Sequence, residues 1–260
     1  EPRREPDRVH PTGIVALDGL LPGGFPAGQI GELFGPASSG RTAIALALLA
    51  ETTEARCELA ALVDAADAFD PPSAEAAGVD LDRMLWVRPG GPLEALRCTE
   101  RLMETGGLPL VLLDLSPPSP AAALPSMAPS ATALGRRSHT PRRRRSPAPG
   151  APRQTAISRP ALHHWIRLAR LADATRTALV VLSRERLTGS QAAFALEARG
   201  LQRDSDHSRD PIAGPLETSI ALVRARGTPA DRTVPLRLET DPINQSVPPL
   251  RLETDPAAPG

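Results

Sequence analysis

The residues best placed to do chemistry lie in one loop bracketed by glycines, Gly35-Pro36-Ala37-Ser38-Ser39-Gly40-Arg41-Thr42. An apolar run at 30–34 precedes this loop, and a helical pattern at 43–51 follows it. In such a loop the glycines let backbone N–H groups converge on phosphate oxygens, and the N-terminus of the following helix favours anions. We therefore predict that residues 35–42 bind a nucleotide, with the Thr42 hydroxyl placed to hold Mg²⁺.

Position 41 departs from the usual form of a phosphate-binding loop, in which a lysine reaches the outer phosphates. The chain contains no lysine at all, so biased codon supply is one explanation for Arg41. The other explanation is functional, because a planar guanidinium is larger than an ammonium and does not fit a pocket shaped for a compact point charge. We favour the second explanation and expect weakened or altered nucleotide handling.

Composition narrows the class of protein. A chain of 260 residues suits one medium-sized domain with appendages. Its formal net charge of zero gives no global attraction to nucleic acid. Cys57 and Cys98 are too few for a disulfide framework, which fits a reducing cytoplasm. No apolar run approaches the roughly 20 residues needed to cross a bilayer, and no signal peptide opens the chain, so we expect a cytoplasmic protein without a membrane partner.

Apolar runs and helical patterns alternate along the chain. Buried strands are predicted at 30–34, 59–64, 84–87, 110–114 and 178–183, with later strands at 194–198 and 219–223. An amphipathic helix opens at Pro92, and a second one carries Leu162 and Trp165 on one face. This alternation predicts an α/β fold with a mostly parallel central sheet flanked by helices.

Composition also divides the chain into five segments: 1–10, 11–115, 116–160, 161–226 and 227–260. The first is a lead-in, and the second and fourth are two parts of one nucleotide-binding core. The segment 116–160 is rich in proline, alanine and arginine and cannot bury enough apolar surface to become ordered. Its arginines, between Arg136 and Arg145, suit either phosphate binding or a solvated linker.

The last segment, 227–260, is predicted to be a disordered tail. An octapeptide at 235–242 recurs there identically at 249–256. Two copies are too few for a repeat architecture. A recent duplication or a sequence artefact explains the repeat better than a function does.

Three phrases in order carry a family resemblance: T-G-I-V-A-L-D from Thr12, G-G-F-P-A-G-Q-I-G-E-L-F-G-P-A-S-S-G-R-T ending at Thr42, and V-D-A-A-D-A-F-D-P from Val63. Together they resemble the RecA recombinase family over 12–115 and, more weakly, over 162–199. The resemblance implies a RecA-like P-loop fold that binds ATP and Mg²⁺. It also implies that Asp114, at the position of the family's Walker B aspartate, acts on Mg²⁺ opposite Thr42.

Several positions depart from the family pattern. Ala66 stands where the family has the glutamate that orients the attacking water, and alanine cannot accept a proton. Asp67, the next residue, is the one candidate substitute for that catalytic group. Ser183 and Arg184 stand in place of an asparagine–glutamine pair whose glutamine senses the terminal phosphate. Together with Arg41, these departures indicate a site that binds nucleotide but hydrolyses it weakly or not at all.

Chains degenerate in this way resemble the ImuA-type accessory proteins of bacterial damage-inducible mutagenesis, which partner translesion polymerases. The leading hypothesis is therefore an ATP-binding accessory protein of DNA repair and the SOS response, with a polymerase and single-stranded DNA as partners. One alternative is an active recombinase, a single-stranded-DNA-dependent ATPase that uses Asp67. The other is a nucleotide-free domain that binds partner proteins. The sequence does not set the oligomeric state.

Overall fold

The computed structural model describes residues 8–117, 159–203, 216–226 and 231–238. The strands are β1 (Val9–His10), β2 (Phe25–Pro26), β3 (Ile30–Phe34), β4 (Ala60–Asp64), β5 (Met84–Val87), β6 (Leu110–Asp114), β7 (Ala178–Ser183), β8 (Phe194–Arg203), β9 (Leu216–Ala225) and β10 (Arg232–Leu238). The α-helices are α1 (Val15–Leu20), α2 (Arg41–Ala50), α3 (Pro71–Ala76), α4 (Pro92–Thr105) and α5 (Leu162–Thr175). A π-helical turn, Glu51–Ala55, continues α2, and a 3₁₀ turn, Leu81–Arg83, precedes β5.

Eight of these strands form one sheet in the order β10-β9-β8-β3-β7-β6-β4-β5. The strands from β8 to β5 are parallel to their neighbours, whereas β9 and β10 are added antiparallel at one edge. The short strands β1 and β2 pair separately as an antiparallel ribbon. The predicted α/β fold with a mostly parallel sheet flanked by helices is confirmed.

Both faces of the sheet are covered, which explains why its central strands are apolar without interruption. On one face Leu110 and Leu112 of β6 join a core cluster with Leu48 of α2. On the other face the alternate residues of β6 join a cluster with Trp165 of α5 and Met103 of α4. Because the central strands are parallel, their carboxyl ends lie at the same edge of the sheet, and the loops that follow them lie close to one another.

The structure differs from the sequence prediction in the last part of the sheet. β8 and β9 are longer than the predicted 194–198 and 219–223. Residues 232–238, predicted to belong to a disordered tail, form β10. The physical reason is that apolar residues alternate with proline and charged residues in this segment, so the strand pattern is weak. Val234 is half-buried and Leu236 is buried, while Pro235 and Arg237 are exposed.

Several predicted segments lie outside the described residues. These are 118–158 of the predicted insertion, 1–7 of the lead-in, and 227–230 and 239–260 of the predicted tail. The second copy of the octapeptide falls within the last of these. In the part of the chain that the structure describes, no helix is long and apolar enough to cross a membrane.

Candidate functional site

The loop between β3 and α2 has the backbone shape that its glycines allow. Gly40 precedes α2 with φ of +86°, in the left-handed region that favours glycine. Gly35 lies against β8, where an added Cβ would stand 2.2 Å from the Ala198 carbonyl oxygen. The Gly35 N–H also donates to the Ser183 carbonyl at the end of β7, at 3.2 Å. Both glycines are therefore required by close approach or by conformation.

The back of this loop is fixed to the antiparallel part of the sheet. The Thr218 hydroxyl of β9 lies 3.0 Å from the Ser39 carbonyl oxygen and 2.9 Å from the Arg199 carbonyl oxygen. The Ser39 hydroxyl is buried and has no hydrogen-bond partner among the described residues. Residues 36–38 are exposed. The loop thus presents its outer side to solvent above a rigid base.

The Arg41 side chain crosses the ends of two central strands. Its Nη1 donates to the Ser183 carbonyl of β7 at 2.5 Å and to the Ser116 hydroxyl beyond β6 at 2.9 Å. Its Nε is buried without a partner among the described residues. Burial lowers the pKa of Arg41, an effect that the charge of Asp114 opposes and that of Arg184 reinforces. The guanidinium is therefore held by oxygens of the protein itself.

Two carboxylates lie side by side at the same edge of the sheet. Asp64 ends β4 and Asp114 ends β6, and the two are direct neighbours in the parallel register. Burial raises the pKa of Asp114, Asp64 raises it further, and hydrogen bonds from Ser116, including its N–H at 2.7 Å, oppose the rise. A half-buried carboxylate beside a second one is a place where a cation lowers the electrostatic free energy. Asp114 thus fits a Mg²⁺ site together with Thr42, which is exposed in the first turn of α2.

Asp64 was missed by sequence reasoning, and it orders the turn that follows β4. Its carboxylate accepts the N–H groups of Ala66, Ala68 and Phe69 at 3.1, 2.9 and 2.9 Å. Ala66 is buried within this turn. The available signal was an aspartate that ends an apolar strand and is followed by small residues, a pattern typical of a side chain that caps its own turn.

Asp67 points to a different partner. Its two carboxylate oxygens accept from Arg88 Nε at 2.5 Å and Arg88 Nη2 at 2.7 Å, and this hydrogen bonding lowers the pKa of Asp67. Arg88 follows β5, the edge strand, which is four strands from β3. Asp67 itself follows β4, which is three strands from β3, or about 14 Å across the sheet at about 4.8 Å per strand. The structure brings the loop, Arg41 and Asp114 together, whereas Asp67 lies in an exposed ion pair towards the edge.

A second carboxylate missed by sequence reasoning fixes the segment after β7. Glu32 is fully buried on β3 and accepts the Thr188 N–H at 3.1 Å, together with the Leu187 N–H and the Thr188 hydroxyl. Ser183 is buried and Arg184 exposed where this segment begins. A cavity of about 360 Å³ lies there, lined by residues that include Leu115, Ser183 and Arg184. This cavity opens beside the ends of β6 and β7.

Comparison with known proteins agrees with this architecture. The family model of the RecA N-terminal domain matches residues 4–132. Protein RecA of Symbiobacterium thermophilum is 46% identical over 107 residues, which is 41% of this chain and 30% of that protein. Protein RecA of Rubrobacter xylanophilus is 45% identical over 104 residues, 40% of this chain and 30% of that protein. The chain thus matches less than a third of the length of these relatives.

A solved structure extends the likeness beyond the matched segment. The crystal structure of the RadB recombinase superposes with a TM-score of 0.57 at 19% sequence identity, and the alignment covers 88% of this chain and 96% of that one. At this identity the likeness concerns the fold. The family match and the relatives show that the chain carries a RecA-family domain in its matched part, and the solved structure shares its fold.

Proposed function

We propose that this protein is a RecA-like ATP-binding protein of DNA repair and recombination whose hydrolysis of ATP is weak or absent. The observation that carries the proposal is a contrast within one site. The loop at 35–42 keeps its glycine geometry beside the half-buried Asp114, while the position of the water-orienting glutamate is the buried Ala66.

The described residues fit ATP and Mg²⁺. The exposed part of the loop, the N–H groups at the start of α2 and the Thr42 hydroxyl supply donors and a metal ligand, and Asp114 supplies the second ligand. The unpartnered Ser39 hydroxyl is a further polar group beneath the loop. Bound Mg²⁺ would neutralise phosphate charge, and the fixed loop would hold the phosphates in place.

Arg41 supports weakened nucleotide binding. To reach a phosphate, its guanidinium must give up the Ser183 carbonyl and the Ser116 hydroxyl. Charged groups form comparatively strong hydrogen bonds, so this exchange reduces the net gain from a phosphate contact.

The carboxylates around the turn after β4 support weak hydrolysis. Asp64 already accepts three backbone N–H groups, and Asp67 is paired with Arg88. The Ala66 side chain has no polar atom with which to orient a water molecule. No residue of this turn therefore offers an unengaged carboxylate.

The proposal also covers the role of the protein, its partners and its domain organisation. A nucleotide-binding RecA domain with slow turnover suits an accessory role, in which ATP acts as a structural ligand for a complex with a translesion polymerase and single-stranded DNA. The core comprises 11–115 and 161–226, extended by β10, with the insertion 116–160 between its two parts. We place the protein in the cytoplasm.

Equilibrium binding of Mg-ATP, with phosphate release followed in the same samples, tests the proposal. The control is the double variant Thr42→Ala, Asp114→Ala. We expect binding to the parent chain, weaker binding to the control and no release above background, with or without single-stranded DNA. Release stimulated by DNA would instead establish the alternative of an active recombinase.

The Arg41 contacts also favour a second candidate function, a nucleotide-free domain that binds partner proteins. In that case Mg-ATP would leave the unfolding midpoint unchanged, because only a ligand that binds the folded state raises it. Equal midpoints with and without saturating Mg-ATP would select this candidate over the first.

A further inference from the structure

A threonine lies on the buried face of β9, where the residues that follow are apolar. Thr218, Ile220 and Leu222 alternate along this face, and all three residues are buried. A buried hydroxyl costs free energy unless it forms hydrogen bonds, and a valine of nearly the same shape would avoid that cost. The residue type at position 218 therefore indicates a role beyond the packing of the sheet.

The Thr218 hydroxyl contacts the back of the phosphate-binding loop. It donates towards the Ser39 carbonyl oxygen at 3.0 Å and the Arg199 carbonyl oxygen of β8 at 2.9 Å. Both partners are acceptors, so the single hydroxyl proton is shared between the loop and β8. We propose that Thr218 is a positioning residue that holds the loop in the shape that binds phosphate, an inference that rests on the proposed binding of nucleotide at 35–42.

The Ser39 carbonyl sets the direction of the next N–H group. The Ser39–Gly40 peptide is trans, and in a planar trans peptide the N–H points opposite to the C=O. Because the Ser39 C=O is turned towards β9, the Gly40 N–H is directed away from β9. In a loop of this type such N–H groups converge on phosphate oxygens. The hydrogen bond from Thr218 therefore fixes the orientation of a phosphate donor.

The first glycine of the loop is held against the same part of the sheet. An added Cβ at Gly35 would stand 2.2 Å from the carbonyl oxygen of Ala198, the residue before Arg199 in β8. The pairing of β8 with β9 is irregular next to this contact, with a register shift between Arg199 and Gln202. Such an irregularity locally interrupts the ladder of backbone hydrogen bonds. Thr218 thus joins the loop to the sheet at a point where the strand pairing alone is weak.

Equilibrium binding of Mg-ATP to Thr218→Val and Thr218→Ser tests the proposal. Thr218→Val nearly keeps the side-chain shape but removes the hydroxyl, and it should weaken binding about tenfold because the ligand must then order the loop itself. Thr218→Ser keeps the hydroxyl and should bind within about twofold of the parent chain. Binding to Thr218→Val equal to that of the parent, or Thr218→Ser as weak as Thr218→Val, would overturn the proposal.

Thr99→Val is the matched control. Thr99 is fully buried in α4, which packs on the other face of the sheet, and its hydroxyl donates to the Ala95 carbonyl at 2.9 Å. The same chemical change at this position should leave the affinity for Mg-ATP unchanged. An equal loss of affinity in Thr99→Val would show that the loss of any buried hydroxyl weakens the site, and it would overturn the specific role of Thr218.

Hydrogen–deuterium exchange without nucleotide separates this inference from the proposed function. A peptide spanning 35–42 should exchange at least about threefold faster in Thr218→Val than in the parent and Thr99→Val chains. If the parent chain binds no Mg-ATP, the proposed function fails, and the exchange of this peptide decides whether Thr218 positions the loop. Equal exchange in all three chains would then overturn the proposal, whereas faster exchange in Thr218→Val alone would support it.

Discussion

Arg41 connects the phosphate-binding loop to the ends of β6 and β7, and this connection decides how the site responds to nucleotide. Its Nη1 is shared between the Ser183 carbonyl and the Ser116 hydroxyl. A lysine ammonium is a more compact point charge on a flexible stem, so it does not fix its donors in the single plane that the guanidinium imposes on these two acceptors. The type of basic residue at position 41 therefore controls how freely its side chain can turn towards a ligand.

Arg41→Lys should tighten Mg-ATP binding by about tenfold, or about 1.4 kcal/mol, because the ammonium gives up weaker protein contacts when it meets a phosphate. Equilibrium binding at fixed Mg²⁺ measures the change. Arg184→Lys is the matched control, because it makes the same chemical change at an exposed arginine next to the site. Unchanged or weaker binding to Arg41→Lys would contradict this account of the loop.

His10 is a buried imidazole in the antiparallel ribbon that β1 and β2 form. It lies in β1, and neither ring nitrogen has a hydrogen-bond partner among the described residues. Burial lowers the pKa of His10 to about 4; the charges of Arg8 and Arg56 lower it further and that of Glu58 opposes them. The unfolded chain, with an ordinary histidine pKa of about 6.5, thus binds the proton at a higher pH than the folded one.

The free energy of unfolding should therefore fall as pH drops from about 6.5 towards about 4, by up to about 3 kcal/mol from this residue. Urea unfolding at several pH values measures it. His10→Phe keeps an apolar ring without the titrating group and should flatten the profile over that range. His163→Phe, at an exposed histidine of α5, is the control and should leave the slope intact.

At the scale of elements, the turn after β4 depends on one carboxylate. Asp64 is buried and accepts three N–H groups, of which that of the buried Ala66 would otherwise be left without a partner inside the protein. The same turn carries Ala66 and positions the pair of Asp67 with Arg88. The shape of the candidate site at this strand end therefore follows from a structural residue.

Asp64→Ala should lower the free energy of unfolding by about 3 kcal/mol, because it leaves the buried Ala66 N–H unsatisfied and removes two further hydrogen bonds to a charged acceptor. Asp70→Ala provides the comparison within the same segment: Asp70 is exposed and caps α3 through the Ser73 N–H, so its loss should cost about 1 kcal/mol. Chemical denaturation of both variants gives the difference. Equal losses would show that the three Asp64 hydrogen bonds do not hold the turn.

The sequence predicted elements where hydrophobicity is continuous. The strands at 110–114 and 178–183 have the predicted bounds because each is buried on both faces of the sheet. The edge strand at 84–87 also has the predicted bounds, although its Leu85 is exposed. β10 was not predicted, since its apolar residues alternate with proline and arginine within a segment of tail-like composition. An edge strand buries one face only, so its pattern is weaker than that of a central strand.

At the scale of the molecule, the two core segments interleave. β7, from the segment after 158, lies between β3 and β6, which both belong to 8–117. Contacts between these two segments also explain why parts of the site could not be predicted from sequence. Glu32 accepts from Leu187 and Thr188, more than 150 positions away, and no local pattern indicates that meeting. The phosphate loop could be predicted because its spacing is local.

Cutting the chain between 118 and 158 should leave the two pieces associated, because removing the second would expose both sides of the gap between β3 and β6. A single inserted protease site, followed by size-exclusion chromatography and thermal unfolding, tests this expectation. The cut protein should elute as one species and unfold in one transition. Separation of the fragments without denaturant would show that the sheet does not unite the two segments.

The place of β7 in the sheet also sets the order of events during synthesis. When the ribosome has released only the first 117 residues, β3 and β6 have been made but the strand that joins them has not. Their apolar edges must then remain unpaired until 178–183 emerge, and such exposed edges are prone to aggregate. Native assembly of the phosphate-binding loop with Asp114 is therefore expected only late in translation, once β7 has entered the sheet.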